Sequence, residues 1–152
     1  MESSDKQPGF TLVQLLITIA VLGAVGFGAI PQCTSIVQDG KVSSAVADIA
    51  KIGQAAISFQ LRTGVLPNSL EELDNIPSHD PWVRQYRYNN LTGNGAIAAA
   101  RINSNRTPIN TLFDIYSLGQ DGESVSPLTA NTSGDDVVWA RDGQFIGLAS
   151  DY

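Results

Sequence analysis

Phe10 to Ile30 reads FTLVQLLITIAVLGAVGFGAI, and the fold follows from this run. No charged residue lies between Lys6 and Asp39, and the run's only polar side chains are Thr11, Gln14 and Thr18. As a helix, 21 residues span roughly 32 Å, close to the hydrocarbon core of a bilayer. A chain of 152 residues cannot build a core large enough to bury such a helix on every side. A membrane-spanning segment is therefore expected. The competing reading is a cleaved secretory signal, but the leader MESSDKQPG carries Glu2, Asp5 and Lys6 and has no basic n-region. The second half of the run holds Gly23, Gly26 and Gly28, followed by Pro31. Each Gly costs roughly 1 kcal/mol against Ala in a helix, and Pro about 3 kcal/mol. Leu22 to Pro31 is expected to be helical in lipid and easily loosened outside it. A kinked anchor with small residues at a helix contact is the plainer alternative.

Downstream the pattern becomes periodic. Val42, Ala45, Val46, Ile49, Ile52, Ala56 and Phe59 recur at spacings of three and four, while Lys41, Ser44, Asp48, Lys51 and Arg62 fall mostly elsewhere. This is one apolar stripe on a helix that ends at Gly64, with Arg62 placed to complement the helix dipole. The anchor and this helix are expected to form one rod. Its first half (10–34) meets lipid, and its second half (35–64) packs on a domain.

The remainder, 65–152, is mixed. Leu70 to Leu73 reads as a short helix, and Asp80-Pro81-Trp82 as a turn. Strands are expected at 85–89, 96–102, 112–118, 137–140 and 144–148, with Arg141-Asp142-Gly143 as a hairpin turn. No long crossover helices separate them, so the fold class is α+β: a long N-terminal helix packed on a small antiparallel sheet. The segment poorest in apolar residues is Gly119 to Asp136, GQDGESVSPLTANTSGDD. A loop of this length is usually functional, ion-tied or disordered.

Composition narrows the chemistry. Charged residues make up 16% of the chain and the net charge is −6, with no basic run, so nucleic acid is not an expected partner. One cysteine and one histidine exclude an internal disulfide framework, a multi-cysteine zinc site and a His-rich metal centre. Cys33 reads as a buried structural thiol, His79 as a loop residue, and Trp82 and Trp139 as packing residues. A membrane-anchored hydrolase using the pair Asp114 and Asp121 is a remote alternative, since no pocket, nucleophile motif or cofactor loop accompanies them.

Gly9-Phe10-Thr11-Leu12-Val13, then an apolar helix and Pro31, resembles the N-terminus of type IV prepilins and type II secretion pseudopilins. The downstream order of Asp80-Pro81-Trp82, Tyr86-Arg87-Tyr88, Asp114 to Gly119 (DIYSLG), Asp121-Gly122 and Asp135 to Trp139 (DDVVW) resembles the major pseudopilin of the type II secretion system. The resemblance implies the type IV pilin-like fold and a structural, non-enzymatic role in a fibre that helps export folded proteins from the periplasm. It implies cleavage between Gly9 and Phe10 by a prepilin peptidase and methylation of the new amine. It implies a bacterial inner-membrane protein with a single span, its C-terminal domain in the periplasm. The implied partners are copies of the chain in a helical fibre, minor pseudopilins, an inner-membrane assembly platform and lipid before assembly. A pilin of a type IV pilus or competence system, or a minor tip pseudopilin, is the neighbouring alternative.

The sequence departs from the pattern at Gln14, where the family usually has a Glu thought to pair with a neighbour's terminal amine. Gln14 implies either a subunit with no upstream partner, as at a tip, or a neutral polar contact, and the rest of the chain favours the second. The resemblance also implies a calcium site in the acidic loop (117–139). Leu118 through its carbonyl, Asp121 and Asp135 are the leading ligands. Asp136 is the alternative second aspartate, and Ser117 or Glu123 an added oxygen. The spacing from Asp121 to Asp135 is longer than the family usually shows.

Overall fold

Helix α1 spans Leu12–Thr63 and starts at a reciprocal cap. The Thr11 Oγ1 accepts the Gln14 N–H at 3.4 Å, and the Gln14 Oε1 accepts the Thr11 N–H at 3.2 Å. Thr-x-x-Gln at a helix start is a capping box, which satisfies two donors that have no partner inside the helix. At the other end the Gly64 N–H donates to the Gln60 carbonyl at 2.8 Å, and Gly64 takes φ +81°, as expected of a left-handed cap.

The computed structural model of the chain describes residues 11–93 and 96–152, and within α1 it leaves out the side chains of residues 22–33. Gly9, Phe10, and the side chains of Pro31 and Cys33 therefore lie outside the described residues, as does the expected loosening of Leu22 to Pro31. The chain divides into two compact units, one ending at Gln38 and one spanning Asp39–Tyr152. In the first unit, Leu12, Val13, Leu15, Leu16, Ile17, Ile19 and Val21 are each more than half exposed. Among the described residues, no helix is long and apolar enough to cross a membrane, and the apolar run is represented there only by 11–21.

In the second unit the predicted stripe is the buried one. Ala45, Ile49, Ile52 and Ala56 are fully buried, with Val42, Val46 and Phe59 packed beside them. They meet a four-stranded antiparallel meander: β1 (Arg87–Asn90), β2 (Phe113–Ser117), β3 (Val137–Ala140) and β4 (Phe145–Leu148). The register pairs Tyr88 with Ile115, Tyr116 with Val138, and Trp139 with Ile146. Alternation along the strands sends Phe113, Ile115, Val137 and Trp139 to the helix side. Val138 and Ala140 face the opposite side, where Ile109, Leu128 and Ala149 cover them. The sheet's two central strands are thus buried on both faces, and loops form the second covering layer.

Two expectations change. Ala96–Ala99 is a 3-10 turn, not part of a strand, and Ile97 is 62% exposed. The alanines offer no β-branched surface to pack, and the chain instead dips inward to bury Ala100 and Arg101. Ile102 makes only isolated bridges, to Pro108 and Pro127. The short helix is a 3-10 turn at Leu70–Glu72. The hairpin at 141–143 is present, with Arg141, Asp142 and Gly143 all at positive φ.

One requirement was not visible in the pattern. A Cβ on Gly53 of α1 would lie 2.3 Å from Trp139 Cζ3, and one on Gly143 would lie 2.5 Å from Trp139 Cζ2. The indole is held between two glycines and stacks on Phe113 at 5.7 Å.

Candidate functional site

Two regions carry the functional expectations. At the start of α1, Gln14 is engaged within its own helix by the cap, and Thr18 folds back onto the carbonyls of Gln14 and Leu15. A neutral amide thus does local work at the helix start.

The acidic loop is built on a tight turn after β2. The Gly122 N–H donates to the Leu118 carbonyl at 3.1 Å. Gly119 and Gly122 sit at φ +61° and +78°, which excludes most other residues. The Asp135 carboxylate holds the turn from outside, its Oδ2 accepting the N–H groups of Gln120 (2.6 Å) and Asp121 (3.0 Å). The fit is close: a Cβ on Gly119 would lie 2.3 Å from the Asp135 carbonyl oxygen. The exposed Asp121 accepts the Glu123 N–H at 2.8 Å. Leu118, Asp121 and Asp135 are therefore brought to one turn.

Asp136 is not with them. It is fully buried on the other side of the strand entry, paired with the Arg101 guanidinium at 2.6 Å and accepting the Ser124 hydroxyl. Successive residues entering a strand point to opposite faces, so Asp135 and Asp136 cannot serve one ligand together. Burial pushes the Asp136 carboxyl up to about 6, against the lowering pull of Ser124 and Arg101. Arg101 also stacks over Tyr116 at 4.4 Å, and its N–H donates to the Asp114 carboxylate at 2.7 Å. Burial raises the Asp114 carboxyl as well, although Arg101 and Asn110 donate to it.

Leu118, Asp121 and Asp135 offer one carbonyl and two carboxylates at this turn. Calcium takes six to eight oxygens on a flexible frame. Among the described residues, no three carboxylate, thiol or imidazole side chains converge in a way that could hold a metal ion. Two other carbonyls of the turn have a cationic partner that sequence reading missed: Arg84 donates from Nη1 to Gly119 O at 2.7 Å and from Nη2 to Gln120 O at 3.2 Å. Ser117 is occupied too, donating to Asp80 at 2.5 Å and accepting the Gly119 N–H. No local signal pointed to Arg84, because its partners lie 35 and 36 residues away.

The hydrolase pair gains no support. Asp114 is buried among its donors and Asp121 is exposed in the turn. Three open clefts on the surface of this unit include neither residue in their walls.

No protein-family profile matches the chain, and no solved structure matches it. Curated relatives do. The type II secretion system core protein G of Pseudomonas aeruginosa is 28% identical over 128 residues, covering 78% of this chain and 87% of the relative. The protein of the same name from Vibrio cholerae is 24% identical over 143 residues, covering 81% and 87%. That of Escherichia coli K12 is 25% identical over 144 residues, covering 81% and 88%. The matches run along most of both chains. The chain is a homologue of type II secretion system core protein G.

Proposed function

We propose that this chain is the major fibre subunit, or pseudopilin, of a type II secretion system, and that its role is structural and not catalytic. The observation that carries this is the match to core protein G along about four fifths of the chain. The exposed apolar surface from Leu12 to Val21 supports the mode of assembly. Such a helix exchanges lipid contacts for contacts with copies of itself at little net cost, because both surroundings are apolar.

In this reading, residues 1–9 are a leader that prepilin peptidase removes between Gly9 and Phe10, and the new amine is methylated. Residues 10–34 span the inner membrane before assembly and line the fibre afterwards, with Pro31 in that segment. Residues 35–64 complete the helix, and 65–152 form the periplasmic domain. Partners are copies of the chain, minor pseudopilins and the assembly platform. Gln14, already engaged in its own helix cap, supports a neutral contact at the place of the family's Glu. A structural calcium ion held by the Leu118 carbonyl, Asp121 and Asp135 belongs to this reading, supported by the turn that gathers those residues.

The test is co-expression of the full chain with a prepilin peptidase, followed by intact-mass and N-terminal analysis. The expected product begins at Phe10 and carries one methyl group. An uncut chain, or one cut elsewhere, refutes the processing step.

A further inference from the structure

Strand β1 is an outermost strand of the sheet, and its outer edge is open. The Leu91 N–H donates to the Leu112 carbonyl at 3.0 Å, one step beyond the Asn90–Phe113 pair. Main-chain groups alternate along an antiparallel strand, so Arg87 and Asn89 bond to β2 while the N–H and C=O of Tyr88 and Asn90 face outward. The chain itself begins to cover this edge, where His79 bridges to Gln85. The pairing ends at that one bridge, and a cleft of about 480 Å³ opens between 68–78 and Gln85 to Tyr88.

The cleft is preformed. Leu70, Ile76 and Pro77, all half-buried, line one wall, and Tyr86 and Tyr88 line the other. Both rings are locked through their hydroxyls, Tyr86 donating to the Asp48 carboxylate and Tyr88 to the Pro67 carbonyl, each at 2.9 Å. The Asn68 amide donates to Glu72 at 3.2 Å and fixes the first wall. An apolar trough beside an open strand edge is the geometry of strand addition, in which main-chain bonds give affinity and pockets take alternate side chains.

Charge selects the occupant. The wall at 68–78 carries Glu71, Glu72 and Asp74, all exposed, and no Lys or Arg lies between Arg62 and Arg84. Among the described residues the ion pair is Arg101 with Asp136, so these three carboxylates have no cationic partner there. A second copy pairing through the same edge would bring its own three carboxylates against them. The sheet's other edge, β4, has no charged residue in Phe145–Leu148, and nothing there selects a partner.

We propose that the open edge of β1 is a docking site for an extended, positively charged segment of a partner protein. The segment adds as a strand beside Tyr88, with apolar side chains in the trough and cations against Glu71, Glu72 and Asp74. The groove lies wholly within 65–152 and needs no assembly of copies, so this role and the fibre role fail separately.

The test uses the full chain in an uncharged detergent and two fluorescently labelled peptides. One is acetyl-Lys-Val-Lys-Val-Lys-Val-amide, and the other has Glu in place of each Lys. Binding is read by fluorescence anisotropy, and strand addition by amide hydrogen exchange. Saturating Lys peptide should slow exchange at Tyr88 about tenfold or more, while Arg87, already bonded to β2, is unchanged. The Glu peptide should bind at least about tenfold more weakly. So should the Lys peptide on the double variant Glu71→Lys, Asp74→Lys, whose positions are both exposed and leave the fold intact. Equal binding of the two peptides overturns the proposal, as does binding of neither, or binding without slower exchange at Tyr88. A Tyr88 amide that slows as the chain alone is concentrated puts a second copy on the edge, and overturns it too.

Discussion

Gly53→Ala should destabilise the protein, although the same change elsewhere on a helix is usually favourable. Ala gains about 1 kcal/mol over Gly in a helix interior. At Gly53 the new Cβ would lie 2.3, 2.6 and 2.7 Å from three atoms of the Trp139 ring. Carbon atoms pack at about 3.5–4.0 Å, so the ring must retreat by more than about 1 Å. It has nowhere to go. Gly143 sits against the other part of the indole, where a Cβ would lie 2.5 Å away, and Phe113 stacks on the ring. Overpacking of this kind costs about 1–3 kcal/mol, and a clamped ring belongs at the upper end. The net loss should be about 1–2 kcal/mol. Gly40 in the same helix is the control, because nothing lies within 4 Å of its Cβ position. Gly40→Ala should stabilise by about 0.5–1 kcal/mol. The assay is urea unfolding of the full chain in detergent, followed by near-ultraviolet circular dichroism. If Gly53→Ala is as stable as Gly40→Ala, the packing of α1 on Trp139 is wrong.

Further predictions follow from the buried polar groups and the helix cap. Arg101→Ala takes the cation away from the buried Asp136, leaving it only the Ser124 hydroxyl, and should cost about 3 kcal/mol in the same urea assay. Removing both partners together should cost less than the sum of the two single changes. The folded state binds the Asp136 proton more tightly than the unfolded chain, whose aspartates titrate near 4, because burial pushes this carboxyl up to about 6. Its contribution is therefore full below about pH 4 and lost as pH rises through about 6, so wild-type stability relative to Asp136→Asn should fall across that window. A rise would contradict the burial argument. At the helix start, Gln14→Ala removes one bond of the cap and should speed amide exchange at Thr11, whereas Gln14→Glu should not.

The parts of the fold set by local periodicity were readable. The stripe from Val42 to Phe59 is the face that packs on the sheet, and Gly64 ends the helix. Strand β3 has the predicted bounds, because VVWA is bounded by turn residues on both sides. Ala96 to Ile102 misled because an apolar run has the same appearance whether it pairs in a sheet or dips into a loop layer. Gly53 looked like a weak point in a helix; its reason is an indole 86 positions later. The site was half legible for the same cause. Asp121 and Asp135 do meet at one turn, but neighbouring Asp135 and Asp136 point opposite ways and nothing local says which is inside. Arg84 and Arg101 were two of nine basic residues, distinguished only by partners far along the chain.

The central claim is that copies of this chain make the secretion fibre. The most direct measurement supplies the full chain to a bacterium whose own core protein G has been removed, then examines sheared fibres by electron microscopy with labelling for this chain. The account predicts labelled fibres together with restored export of folded proteins from the periplasm. A processed chain that stays in the inner membrane, with neither fibres nor export, would contradict it.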